Sequence, residues 1–127
     1  MRHLREFEAA RALNEDTVAR FVATLGSDHP ATLNATNNLA GDLSATGDAE
    51  AANRIYQETW ARRRRVMGED DPQTLNSAHE YAMHLILVGD FDTARPVLED
   101  VLARRRRVLA ETHPHTVRSR TALDQLG

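Results

Sequence analysis

The chain contains no cysteine and no lysine. Without cysteine there is no disulfide scaffold, no thiol nucleophile and no cysteine-bearing zinc site. Aromatic residues make up only 5% of the 127 residues, too few for a large sandwich core or a base-stacking platform. No stretch approaches the roughly 18 consecutive apolar residues of a membrane span. The opening MRHLREFEAARALNED is charged throughout and lacks the apolar run of a secretory signal, so a cytoplasmic protein is the default expectation.

Catalytic signatures are missing too. There is no P-loop, no GxGxxG, no GxSxG and no HExxH. Ser44 sits in GDLSATG, which lacks the spacing of a nucleophile elbow. Acids such as Glu69, Asp70 and Asp71 read as a loop with capping duties. His79 and His84 are five apart, which does not place them on one helical face. The expectation is therefore a chain that is not an enzyme and holds no metal and no cofactor.

What is present favours helices. Alanine accounts for 19 residues, and leucine, arginine and glutamate are also good helix formers. The 16 basic residues, all arginine, are outnumbered by 19 acids, giving a net charge of -3. That balance argues against a general nucleic-acid binder.

The main feature is a repeat. Pro30, Pro72 and Pro114 are 42 apart, and Thr32, Thr74 and Thr116 keep that spacing. Gly47-Asp48 recurs as Gly89-Asp90, Ala40 as Ala82, and Ala52 as Ala94. The run Arg62-Arg63-Arg64-Arg65-Val66 recurs as Arg104-Arg105-Arg106-Arg107-Val108. Two full copies span 27–68 and 69–110; 1–26 and 111–127 fit the same frame as partial copies, so 1–127 reads as one array. A fixed period of this length marks a solenoid.

Each copy reads as two helices. Proline opens the first, where its missing N–H would be unpaired anyway. Asp71 suits the cap before it; His29 and His113 are poorer cap residues. Leu33, Thr36, Leu39, Ala40 and Leu43 recur at helical spacing. Gly47 ends the helix, and Asp48 starts the next. The short link makes the pair an antiparallel hairpin. The expected helices are about 3–25, 30–46, 48–67, 72–88, 90–109 and 114–126.

These residues resemble the tetratricopeptide repeat. The small residues Ala40 and Ala82, each followed twelve positions later by Ala52 and Ala94, match the family, as do Leu43, Leu85, Gly47, Gly89 and Phe91. Thr36 and Ala78 stand where the family usually has a tryptophan. The 42-residue period and the opening HPATLNATNNLA are similar to the kinesin light chain type. Bacterial arrays of this kind stand behind signalling NTPase modules. The resemblance implies an all-α fold, an α-α superhelix of hairpins whose first helices line a concave face. It also implies a non-catalytic module that binds a peptide or partner helix there. The positions that match the family's peptide-gripping asparagines include Asn34, Asn37, Asn76, His79, Met83, Arg118 and Thr121. An asparagine amide offers a donor and an acceptor to a peptide backbone.

Other surfaces carry alternatives. Met83, Ile86 and Leu87 make the first helix of the second copy rich in apolar groups, as partner sites often are. The arginine runs offer an anion or nucleic-acid site if equivalent arginines stack across copies; solvated or ion-paired helix ends are the plainer expectation. Trp60 reads as packing between repeats. Neither end carries a polar capping helix, and Leu4, Phe7, Leu13 and Phe21 are left with one neighbour. That pattern fits a segment of a longer array, or self-association through the terminal helices.

Overall fold

The computed structural model describes residues 2–127, with the side chains of 2–4 and 7 left aside. It contains α1 (Arg2–Leu25), α2 (Pro30–Ala45), α3 (Ala49–Met67), α4 (Pro72–Leu87), α5 (Phe91–Leu109) and α6 (Pro114–Leu126). No strand occurs among the described residues. The chain divides into two units, Met1–Val66 and Met67–Gly127. Their boundary lies close to the expected repeat boundary after Gly68.

The helix starts follow from their caps. Asp71 accepts from the Gln73 N–H at 2.9 Å. His29 Nδ1 accepts from Ala31 at 3.1 Å, and His113 Nδ1 from His115 at 3.1 Å. The histidines thus occupy the same capping position as Asp71, through slightly longer bonds. Nδ1, like a carboxylate oxygen of aspartate, is bonded to Cγ, so its lone pair reaches the same N–H. The observed helices are slightly shorter than expected around each hairpin turn. Thr46 and Val88 are the terminal caps of α2 and α4, and Asp48 and Asp90 stay outside the helices that follow.

The hairpin turns need glycine. Gly47 has φ +89° and Gly89 φ +86°, values that a Cβ disfavours. There the Asp48 N–H reaches the Leu43 carbonyl and the Asp90 N–H reaches that of Leu85, both at 2.8 Å. These bonds satisfy carbonyls that the helix end would otherwise leave open.

In the first unit, α1 packs on α2. The Asn14 amide of α1 donates to the Asp42 carboxylate of α2. Arg11 approaches Asp48 at 3.9 Å. Gly41 of α2 lies beside α3: a Cβ there would meet the Tyr56 hydroxyl at 3.6 Å. Leu33, Leu39, Ala40 and Leu43 of α2 are buried, as are Ala52 and Tyr56 of α3. Val22 and Leu25 of α1 are exposed, and Leu13 is 67% exposed. Leu4 and Phe7, grouped with them in sequence, lie outside the described side chains.

In the second unit, α5 packs against both α4 and α6. Ala82 of α4, Leu98 of α5 and Ala122 of α6 form its buried centre, with Ile86, Val97, Leu123 and Leu126 around them. Ile86 thus belongs to this core and not to an apolar surface patch. Packing decides this, since Ile86 lies one turn beyond Ala82 on α4 and so shares its inward face. Arg95 closes the end of α6 by donating from Nη2 to the Leu126 carbonyl at 3.0 Å. Pro96 does not break α5, which continues through it to Leu109.

Candidate functional site

The surface of α4 is set by helical spacing. Asn76, Glu80, Met83 and Leu87 follow one another at three- and four-residue steps and so share a stripe. Asn76 is half-buried, and its Nδ2 donates to Glu80 Oε1 at 3.0 Å. Met83 is exposed and Leu87 is 71% exposed. Val88 and Phe91 at the following turn are exposed as well. On α6, Arg118 and Thr121 are exposed. On α2, in the first unit, Asn34 is exposed whereas Asn37 is buried.

His79 is also buried, among groups of the second unit. Its Nδ1 lies 3.3 Å from the Ser119 hydroxyl. Burial, reinforced by Arg105, Arg118 and His115, pulls its pKa down to about 4. The ring is therefore neutral at pH 7, a polar bridge between α4 and α6. Of the seven positions that the sequence singled out, the structure exposes Asn34, Met83, Arg118 and Thr121, half-buries Asn76, and buries Asn37 and His79.

The arginine runs divide position by position, because consecutive helical residues point about 100° apart. The first and fourth arginines clasp an acid just before the first helix of the same copy. Arg62 and Arg65 hold Asp28 at 2.8 and 3.1 Å. Arg104 and Arg107 hold Asp70 at 2.9 and 2.8 Å. These hydrogen bonds keep both aspartates below their ordinary pKa. Arg104 also meets Glu69 at 2.9 Å and Asp100 at 3.0 Å. The third arginines differ. Arg106 pairs with Glu111 at 2.7 Å, while the Arg64 guanidinium lies 4.2 Å from the centre of the Trp60 ring. Trp60 thus carries a cation on its face in addition to any packing.

The second arginines correct the expectation of solvated helix ends: Arg63 and Arg105 are each only 2% exposed. Arg105 Nη1 donates to the His115 carbonyl at 3.1 Å and to the Ser119 hydroxyl at 2.9 Å, tying α5 to α6. Four identical letters in a row concealed this difference. The residue aligned with them in the opening partial copy, Phe21, was the available signal: an apolar residue there marks an inward position.

Helical hairpins of this length, closed by Gly-Asp turns and repeated at 42 residues, define a helical-repeat protein of the tetratricopeptide class. The family model described as "Tetratricopeptide repeat" matches residues 1–31, 32–73 and 74–115, and the chain belongs to that family. The matched segments keep the 42-residue period, in a frame starting at 32 and 74. The chain also resembles kinesin light chain-like repeats. It is similar to two structures from Podosopora anserina, a protein described as a kinesin light chain with nearly identical TPR-like repeats and a point variant of it. Each shares 28% identity at a TM-score of 0.89, over 98% of this chain and 60% of that one. The fold is also that of BtubC (BKLC) from P. vanneervenii, with 17% identity and a TM-score of 0.81, over 95% of this chain and 48% of that one. The chain thus spans between about half and three fifths of the structures it resembles. Comparison with the curated proteins returns no match. The tetratricopeptide fold generally mediates protein–protein interaction. No helix among the described residues is long and apolar enough to cross a membrane.

Proposed function

We propose that this chain is a non-catalytic interaction module that holds a peptide or partner helix on its first-type helices. The observation that carries the reading is the stripe on α4. Asn76 and Glu80 supply polar groups at one end, and exposed Met83 and Leu87 supply apolar contact at the other. Adaptable methionine and leucine contacts beside amide groups suit an elongated protein segment. Arg118 and Thr121 of α6 extend the polar part, and Asn34 is its counterpart on α2. Asn37 and His79 support these helices from within.

The test is affinity capture from the source cell with nuclease treatment, comparing the native chain with Met83→Glu and Leu87→Glu. Both positions are exposed, so the fold tolerates the change. A nuclease-resistant protein partner lost by both variants supports the reading. A partner retained equally by both, or no partner, overturns it.

A second reading, self-association, draws support from the exposed Leu13, Val22 and Leu25 on α1. Sedimentation of the native chain against Leu13→Glu tests it: a strictly monomeric native chain removes the reading.

A further inference from the structure

Three of the four consecutive arginines on α5 face acids, and one does not. Arg104, Arg106 and Arg107 share Glu69, Asp70, Asp100 and Glu111. Arg105 is the buried one, and both of its acceptors, the His115 carbonyl and the Ser119 hydroxyl, are neutral. Both bonds use Nη1; Nε and Nη2 have no acceptor among the described residues. Burial, and then the nearby Arg118, draw the Arg105 pKa down to about 10, so the group stays charged at pH 7 without a counter-charge. A buried charge lacking its partner is an unfavourable arrangement that an anion would relieve.

Arg105 is one of the residues that line a cleft of about 250 Å³. Its apolar walls come from Pro72, Leu75, Val108 and Leu109, with Gln73, Asn76 and His115 as polar neighbours. Asp70 stands at the rim, but its carboxylate is already held by Arg104 and Arg107. The cleft therefore combines one uncompensated cation with an apolar chamber. It is smaller than the roughly 300–1,000 Å³ sites that enclose drug-sized ligands. A phosphate dianion would demand more donors than one guanidinium supplies and would gain nothing from aliphatic walls.

We propose that this cleft binds a small monocarboxylic acid, its carboxylate on Arg105 and its aliphatic body against Leu75, Val108 and Leu109. The site shares Asn76 with the partner surface proposed above, but it rests on Arg105 and the apolar walls and stands or falls separately.

The test is a titration of the full chain followed by NMR of the Arg105 Nε–H and the Val108 and Leu109 methyl groups. The probes are 4-methylpentanoate, its uncharged amide, acetate and inorganic phosphate. The acid is expected to give saturable shifts and the amide none. Acetate should bind at least about tenfold more weakly, because it buries too little apolar surface. Arg105→Met removes the cation and should abolish saturation. Because that change also cuts the ties to α6, Val108→Trp is the companion variant. It fills the cleft from an exposed position, leaves Arg105 in place, and should lose binding while keeping the helical signal. Equal response to acid and amide, saturation by phosphate alone, no saturation by any probe, or native binding by Val108→Trp would each overturn the proposal.

Discussion

Arg104 reaches back 34 residues to Asp70 at 2.9 Å, and Arg62 reaches back the same 34 residues to Asp28 at 2.8 Å. The fourth arginine of each run completes the clasp across 37 residues. An acid before the first helix is thus pinned to the end of the second helix in both full copies. The reach spans nearly a whole repeat, so it closes each hairpin where the chain enters and leaves it.

Asp28→Asn and Asp70→Asn should each lower the melting temperature modestly, and the loss should shrink as salt is added, since these carboxylates are exposed and screened. Their folded pKa values lie below the ordinary 3.8. The stabilisation is therefore fully present above that value and is lost as pH falls through the lower folded pKa. Thermal melts against pH, native against variant, should converge in acid.

His79 produces acid sensitivity in a higher window. Its folded pKa is about 4 against an ordinary 6.5, so the unfolded chain takes up the proton first. Stability is complete above about 6.5 and falls as pH drops toward 4, by up to about 3 kcal/mol. Denaturant melts at several pH values should show this slope, and His79→Gln should flatten it. An unchanged slope would mean that other groups cause the acid sensitivity.

Ala110 sits at φ +97°, where the equivalent positions of the other copies carry Gly26 and Gly68 at +89° and +94°. A Cβ is disfavoured in that conformation, so Ala110→Gly should stabilise the chain by about 1 kcal/mol. Gly68→Ala should destabilise it by a similar amount. Urea midpoints measure both, and the two shifts should have opposite signs.

Leu98 is fully buried between Ala82 and Ala122. Leu98→Ala leaves a cavity that small neighbours cannot fill, at a cost of about 2–5 kcal/mol. Leu87→Ala, on the exposed stripe of α4, should change the denaturation midpoint little. A comparable loss at both positions would contradict the assignment of Leu87 to the surface.

The helices and their hairpin turns were legible in the chain because their causes are local. Prolines at first helical positions, Gly-Asp turns and apolar spacing each act within a few residues, and the 42-residue period shows them more than once. That His29 and His113 cap their helices depends on each ring turning Nδ1 toward the N–H two residues on, which residue type alone does not specify. The candidate site was legible only in outline. Asn34 and Asn37 carry the same side chain three positions apart, yet one is exposed and the other is buried. Met83 and Ile86 looked alike as apolar surface, and only Met83 is exposed.

By itself, then, the sequence determined a repeating set of six helices and the short turns between them, since backbone geometry and capping are settled among near neighbours. Only the tertiary structure decided which arginine of each identical run meets acid, which meets the Trp60 ring and which is buried. A charge's environment is made by groups distant in the chain. Arg105 and Ser119 are 14 residues apart, and Arg107 and Asp70 are 37. Helix packing alone brings them within reach.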